Sequence, residues 1–366
     1  MSKQKIRVGV IFGGKSPEHN ISLLSASNVI ENMDPELYEV VLLAIDRNGI
    51  WHYDKGPLNL NNPGDAQLVS LPDYNNIVIL SQNTGDGAII DEESGRQVAT
   101  VDVLYPVLHG AFGEDGAIQG LAKVAGLPCV GCGILGSAAG MDKDVTKRLL
   151  RDSEIGVADF VTLRKGYNDQ MTYDEIKDKI GGDLFIKPAN LGSSVGVSFV
   201  DNEEDFNKAV KLGFEYDPKV IVEEKVVGRE IECAVMGNEK PAASVIGEIL
   251  PKTEWYTFEN KYVDDDGAGL EIPAKLTKEE SELARRIAIE TYIKLECCGL
   301  TRVDMFLKPG GEIIVNEVNT LPGFTKISMY PKLWGESGIP YQDLITKLIQ
   351  LAIEKFESEK MLRSEA

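Results

Sequence analysis

Basic side chains are scarce in this chain, with 38 lysines and arginines against 58 aspartates and glutamates, a formal charge of −20. Such a surplus repels nucleic-acid backbones and anionic lipid surfaces at long range, so nucleic-acid and membrane binding are poor first readings. A small anionic substrate remains admissible, provided its site supplies local lysines, arginines or metal ions. Cysteine is sparse too. The 5 present, Cys129, Cys132, Cys233, Cys297 and Cys298, are odd in number, include an adjacent pair and contain a single CxxC. Neither a disulfide framework nor a four-ligand zinc site can be assembled from them, and reduced, buried thiols are expected. No apolar run approaches the ~18 residues of a membrane span. The opening Met1-Ser-Lys-Gln-Lys runs straight into a strand-like segment at 6–12, unlike a signal peptide, so a cytoplasmic, soluble protein is expected.

What is present reads as ordinary globular protein. The 366 residues, 26% charged and 43% hydrophobic, suffice for two or three units with cores of their own. Residues 6–12 form a β-branched run ending in Gly13-Gly14, and 21–30 then show helical spacing through Ile21, Leu24, Val29 and Ile30. With further apolar runs at 38–45 and 101–108, this predicts an open parallel α/β sheet. Residues 55–97, rich in Asn, Gly, Pro and Asp, read as a surface excursion with one hairpin. A new unit is expected near residue 130, followed by a helix over 142–153. Strands are expected at 184–188, 195–200, 220–222 and 231–235, with a helix near 203–213. The 252–270 loop, dense in aromatics and acids, exceeds the ~12–15 residues beyond which a structureless loop is usually functional. Thr277-Lys-Glu-Glu280 predicts a capping box, and two strands, 302–307 and 312–319, are joined at Pro309-Gly310.

Three segments could carry chemistry. Gly9 to Ser16 fits the literal G-x-x-x-x-G-K-[ST] phosphate-loop pattern, but three of its four middle residues continue the strand, where a loop is required. The turn instead presents Ser16, Glu18 and His19 at the carboxyl end of a strand, where Glu18 serves either as an amine anchor or as a helix N-terminal charge. Lys187, flanked by apolar strand residues, is costly unless its charge is used. Gly192-Ser193-Ser194-Val195-Gly196 behind it can bring amides and hydroxyls to phosphate oxygens, or be an ordinary turn. The strongest cluster is Arg302-Val-Asp304 with Glu317-Val-Asn319. An even-length loop at Pro309-Gly310 would set Asp304, Glu317 and Asn319 on one strand face, a hard-oxygen set suited to Mg2+, with Arg302 beside it to meet developing negative charge. The bland alternative is a solvated sheet face. Glu223 and Glu230 bracket Val226-Val-Gly228, a crossing that could hold a planar base and a ribose, although charged strand-edge residues are the commoner explanation.

Taken in order, Gly13-Gly-Lys-Ser-Pro-Glu18-His-Asn-Ile-Ser22, His109-Gly-Ala-Phe-Gly-Glu114-Asp-Gly116, Met141-Asp-Lys143, Lys187-Pro-Ala-Asn-Leu-Gly-Ser193-Ser-Val-Gly196, Lys261-Tyr262 and Asn316-Glu-Val-Asn-Thr-Leu-Pro-Gly-Phe-Thr325 resemble the D-alanine:D-alanine ligases. The resemblance spans almost the whole chain. It implies an α/β (α+β multidomain) protein of the ATP-grasp fold with an N-terminal open parallel α/β sheet. The implied division is a substrate domain over 1–130, a central subdomain over 131–222 and a C-terminal subdomain over 223–366 with a lid at 252–270. By the same resemblance Lys143, Lys187 and Ser194 contact ATP phosphates, Glu223 and the backbone near Val226 the adenine, and Glu230 the ribose. Asp304, Glu317 and Asn319 hold two Mg2+ or Mn2+ ions. Glu18 anchors the amino group of the first D-alanine, linked through Ser193 and Tyr262 to the lid, with His109 nearby. Lys261 and Ser328 receive the second carboxylate, and Arg302 with the Gly323 amide stabilises the oxyanion. A homodimer is implied as well.

The activity implied is ATP-dependent formation of D-alanyl-D-alanine through an acyl phosphate, for peptidoglycan precursors. The nearest competitor is another ATP-grasp ligase, such as one joining D-alanine to D-lactate, against which Tyr262 argues. From other classes, a phosphate-loop NTPase would depend on Lys15, and a non-enzymatic nucleotide-binding module would release no phosphate on addition of D-alanine.

Overall fold

Apolar runs without alternation make strands buried on both faces, and three of them lie parallel at the start of this chain. Ile6–Gly13 sits between Tyr38–Ile45 and Val103–Val107, with the short Trp51–Asp54 strand antiparallel on the outer edge. The structure, a computed structural model, describes residues 4–74, 76–83, 85–167, 171–251 and 268–362. Val8, Val10 and Phe12 face Leu23, Ala26 and Val29 of helix His19–Glu31, while Ile11, Leu43 and Leu104 face Ile118 and Ala122 of helix Ala117–Ala125.

The excursion between the Trp51–Asp54 and Val103–Val107 strands of this sheet departs from the single hairpin expected. Val78–Leu80, Ala88–Asp91 and Gln97–Thr100 form a three-stranded antiparallel sheet. Strands this short turn only one or two side chains inward, such as Val78, Leu80 and Ile89, too few for a two-residue period to stand out. Upstream, residues 61–70 fold back over the first helix, where Asn20 Nδ2 donates to the carbonyls of Ala66 and Gln67 at 3.0 and 3.1 Å.

Two antiparallel sheets follow. One has the order Ser198–Val200, Leu184–Pro188, Lys219–Glu224, Phe160–Arg164, and its core is closed by Ile176 and Phe206 of helices Tyr173–Ile180 and Glu203–Tyr216. The other has the order Ala268–Glu271, Ala242–Pro251, Arg229–Gly237, Gly299–Leu307, Ile313–Asn319. Ile231, Cys233, Val303 and Met305 on one face pack against Ala284, Ala288 and Tyr292 of helix Lys278–Lys294, whose start is the expected capping box. On the opposite face Ala234, Met236 and Leu300 lie under Tyr330, Trp334 and Leu348 of the two final helices. That apolar cluster continues into Val8 and Tyr105, welding the first sheet to the last. The remainder of this face is polar and carries the candidate site. All five cysteines are free thiols, and among the described residues no helix is long and apolar enough to cross a membrane.

The first strand ends in a turn that only glycine can make. Gly13 has φ +92°, and a Cβ there would lie 2.1 Å from the Ile45 carbonyl oxygen. Its N–H donates to Ser22 Oγ at 2.7 Å, and the Gly14 N–H to Ile45 O at 2.8 Å. Gly13→Ala should therefore cost at least ~2 kcal/mol, read from the urea midpoint. Gly64→Ala, with nothing within 4 Å of its Cβ, should stay within ~0.5 kcal/mol. Equal losses in the two variants would mean that the turn relaxes freely.

Candidate active site

The polar face of the last sheet is set by register. Lys308 N–H donates to Glu312 O at 2.8 Å, so the connection Pro309-Gly-Gly311 is odd in length, and the even loop expected from the sequence is not what forms. Continued unbroken, that register would oppose Asp304 to Asn316 and turn Glu317 to the other face. A bulge between Asp304 and Met305 absorbs Asn316, so that Asp304 pairs with Glu317 and Arg302 with Asn319. The acids share a face because of the bulge.

Arg302 forks onto Asp304, Nε to Oδ1 and Nη2 to Oδ2, both at 2.7 Å, and Asn319 Nδ2 donates to Asp304 Oδ2 at 2.9 Å. Glu232, directly across from Asp304 on the neighbouring strand, brings Oε2 to 3.0 Å from Arg302 Nε. Lys143 Nζ lies 3.3 Å from Glu317 Oε2. Two carboxylates and one amide oxygen fit a hard divalent cation that keeps waters and completes its shell with phosphate oxygens. Among the described residues no three His, Cys, Asp or Glu side chains converge as a metal-holding group.

Facing these acids are lysines of the preceding units. Lys187, on strand Leu184–Pro188, ion-pairs with Glu223 on the adjacent strand, and Lys147 from helix Lys143–Asp152 meets the other oxygen at 3.0 Å. Glu223 and Lys147 are only 4% and 1% exposed. Burial pushes the Glu223 carboxyl up, but the two ammonium groups overcome it and hold the pKa down at about 2. For Lys187 burial favours loss of the proton; Glu223, then Glu317 and Glu230, reverse this and raise its pKa above the usual lysine value. With its side chain committed to two lysines, Glu223 leaves its backbone, rather than its carboxylate, for a ligand. Val226 and Glu230 are half-buried at the end of this crossing, Glu230 on the same sheet face as Glu232 and Asp304.

The segment after Lys187 is tied at several points. Lys143 Nζ donates to Leu191 O at 2.7 Å, and the Asn190 backbone N–H and Nδ2 donate to Asp217 at 2.7 and 2.9 Å. Ser193 and Ser194 both have positive φ, 53° and 58°, a strained choice for serine. What the strain secures is a contact between units: Ser193 Oγ donates to Glu18 Oε1 at 2.5 Å, while Ser194 is exposed. The literal phosphate-loop pattern is used differently. The Gly13 and Gly14 amides are engaged by protein acceptors, and Lys15 Nζ lies 5.8 Å over the Phe112 ring.

The loop after the last strand brings Gly323 and Ser328 together, with Ser328 Oγ 2.8 Å from where a Gly323 side chain would begin. Ser328 Oγ also accepts from Thr325 N–H at 2.9 Å. Buried His109 contacts this loop, its Nδ1 3.0 Å from Leu321 O. Lys261, Tyr262 and most of the expected lid lie outside the described residues. Sequence reasoning missed Lys147, which reads as one more helix lysine, and Glu232, whose two-residue spacing from Glu230 was the available signal. Glu223 yields a prediction. A carboxyl held below its unfolded pKa contributes stability above that value and loses it as pH falls toward about 2. Glu223→Gln should cost ~3–5 kcal/mol at pH 7, and its gap from wild type in urea unfolding should narrow between about pH 5 and 3. A gap independent of pH would assign the loss to packing.

Residues 7–132 match the family described as D-ala D-ala ligase N-terminus, and residues 149–350 match D-ala D-ala ligase C-terminus. The chain is 48% identical over 361 residues to D-alanine--D-alanine ligase A of Escherichia coli (strain K12), covering 99% of each chain. Among solved structures it superposes on the D-alanine-D-alanine ligase from Coxiella burnetii with a TM-score of 0.83 at 34% identity, covering 98% of this chain and 97% of that one. The VanG D-Ala:D-Ser ligase from Enterococcus faecalis gives a TM-score of 0.84 at 35% identity, covering 95% of this chain and 100% of that one. An open parallel sheet followed by two antiparallel sheets with lysines on one and acids on the other is thus an ATP-grasp fold, and the chain belongs to the D-alanine–D-alanine ligase family.

Proposed function

We infer that this protein joins two D-alanines into D-alanyl-D-alanine in an ATP-driven reaction, as a step in making peptidoglycan precursors. One observation carries the reading: Ser193, in the glycine-rich segment behind Lys187, donates to Glu18 of the first unit at 2.5 Å. An acid able to hold an ammonium group thus stands beside a lysine-lined cradle, where a carboxylate on the same small molecule can reach a phosphate.

On this reading Lys143, Lys187 and Ser194 meet the ATP phosphates, the backbone of Glu223 and Val226 the adenine, and Glu230 the ribose. Asp304, Glu317 and Asn319 would hold two Mg2+ or Mn2+ ions, which when bound offset the phosphate charge. Glu18 fixes the amino group of the first D-alanine. Its carboxylate oxygen bonds to the γ-phosphorus as the bridging bond to ADP breaks, and the lysines lower the repulsion between two anions. The amine of the second D-alanine, as the free base, then attacks the acyl carbon. Arg302, oriented by its fork on Asp304, and the Gly323 N–H face the oxyanion; phosphate departs and the amine sheds a proton. Lys261 and Ser328 receive the second carboxylate. His109 lies beside the first substrate, and Tyr262 carries the Glu18–Ser193 link into a 252–270 lid that keeps water from the acyl phosphate. The same reading takes the protein as a cytoplasmic homodimer divided at 1–130, 131–222 and 223–366.

With Mg-ATP and D-alanine the protein should release one ADP for each D-alanyl-D-alanine identified by mass, and L-alanine should give neither. Folded protein that binds ATP yet makes no ADP with D-alanine refutes the reading. Lys187→Ala should raise the KM for ATP on the order of tenfold or more, given ~1.5–3 kcal/mol for a hydrogen bond to a charged group, with Lys147 still pairing Glu223. Lys15→Ala should stay within about twofold. The reverse pattern would restore the phosphate-loop reading.

A further inference from the structure

The Leu321 peptide is held from both sides by one short segment of the N-terminal unit. Its N–H donates to Glu114 Oε2 at 3.2 Å, and its carbonyl oxygen lies 3.0 Å from His109 Nδ1. A carbonyl only accepts, so Nδ1 carries the ring proton. Nε2 is then able to accept from the Ser25 hydroxyl at 3.2 Å, and Ser25 Oγ in turn receives the Phe324 N–H at 3.2 Å. Farther out, the Phe324 carbonyl accepts from Asn28 Nδ2 at 2.8 Å and from the Tyr341 hydroxyl at 2.6 Å. The loop is therefore gripped at Leu321 and at Phe324, and Gly323 lies between the two grips.

Glu114 is the keystone of the first grip. Its other oxygen accepts the Gly110 N–H at 3.0 Å, so one carboxylate ties its own turn and the Leu321 amide together. Across Gly110 stands Glu18, with Oε2 3.0 Å from where a side chain on Gly110 would begin. Burial first, and the Glu18 charge second, push the Glu114 carboxyl up to about 7 against the pull of these two amides and of Arg302. An acid kept in so unfavourable a place is there for its contacts. His109, whose ring burial pushes below the usual histidine pKa, has both nitrogens engaged by protein, which suits an orienting role.

We propose that Glu114 is a positioning residue which, with His109 and Ser25, sets the height of the Gly323 amide against the reacting carbonyl, and so governs the attack of the second amine rather than the handling of ATP. The catalytic part of this proposal rests on the ligase reading above; the grip itself does not. Glu114→Gln keeps the size of the side chain but turns an NH2 group toward one of the two N–H donors. It should leave the KM for ATP within about twofold, lower kcat for dipeptide about tenfold, and raise ADP released per dipeptide above one, because the acyl phosphate waits longer for the amine. Ser25→Ala loosens the second grip and should do the same more weakly; it also serves if Glu114→Gln fails to fold. Deuterium exchange of the 318–326 backbone, which needs no turnover, should quicken in both. Wild-type coupling and kcat in both variants, or a fall in kcat matched by lost ATP affinity, would overturn the positioning role. Unchanged exchange would overturn the grip. A wild-type protein that makes no dipeptide, with exchange quickened in the variants, would sink the ligase reading and leave the grip standing.

Discussion

Two lysines, one buried and one half-buried, closing on one buried carboxylate are the constraint on which the rest of the site depends. A chain with a net charge of −20 has no general attraction for a nucleotide, so the positive charge must be built locally and kept ionised. An isolated lysine in the interior would give up its proton. Glu223 opposes this at Lys187, whose pKa it raises, while pairing Lys147 as well, and because it is one charge against two, the pairing leaves a positive surplus. The strands Leu184–Pro188 and Lys219–Glu224 must then stay in the register that sets Lys187 beside Ile221 and Glu223 beside Phe185. The central sheet is thus a holder for a charge pattern as much as a packing layer.

That pattern also links the units. Lys143 touches Glu317 of the last sheet with the same ammonium group that donates to Leu191 O, so the phosphate-side segment and the acid face are joined through one side chain. Ser193 reaches the first unit at Glu18, from a backbone conformation that serine rarely adopts. Strain of this kind persists only where surrounding contacts over-determine it, and here Asp217 and Lys143 provide them. The first unit answers from its other side through the Glu114 and Ser25 contacts to Leu321 and Phe324. The group that would hold the first amino acid and the loop that would stabilise the oxyanion are therefore each tied by contacts between the first unit and the later ones.

Much of this is legible in the sequence. Continuous apolar runs announce the parallel sheet, and Arg302, Asp304, Glu317 and Asn319 stand out as polar residues at two-residue spacing among Val and Ile. Their convergence is foreseen for the wrong reason: an even loop would have set the pairing, whereas the loop is odd and the extra residue Asn316 in a bulge restores it. Bulges leave no mark on loop length, so counting residues between two strands cannot reveal one. Lys147 is hidden because one lysine on an amphipathic helix looks like any solvated lysine until the partner strand is known. Glu114 sits in plain view within His109 to Gly116, but no local pattern says that its partner is an amide 207 residues away. The three short strands between 78 and 100 escape notice for want of enough inward side chains to show a period.

The charges around the cleft bear on how so acidic a protein would take so anionic a substrate. Lys143, Lys147, Lys187 and Arg302 are joined by direct ion pairs to Glu317, Glu223, Asp304 and Glu232, and Glu18 and Glu230 add two further acids. A bare nucleotide triphosphate entering such a cleft would leave its charge uncompensated in a partly buried place, which is costly. On the proposed reaction two divalent cations would come with it, and the complex would bring almost no net charge. The pairs themselves show which side chains are at stake. Glu317 and Asp304 hold Lys143 and Arg302, the two groups that the proposed reaction would place at the phosphates and at the oxyanion. On the proposed function these acids would hold the divalent ions, whose charge would offset that of the phosphates, with Lys143 and Arg302 beside them. Glu223 lies outside that set, enclosed by its own two lysines, Lys147 and Lys187. The cleft thus combines one enclosed cluster, Glu223 with Lys147 and Lys187, with a second, more open one in which Glu317 and Asp304 pair Lys143 and Arg302 and would, on the proposed function, also meet the metal-bound nucleotide.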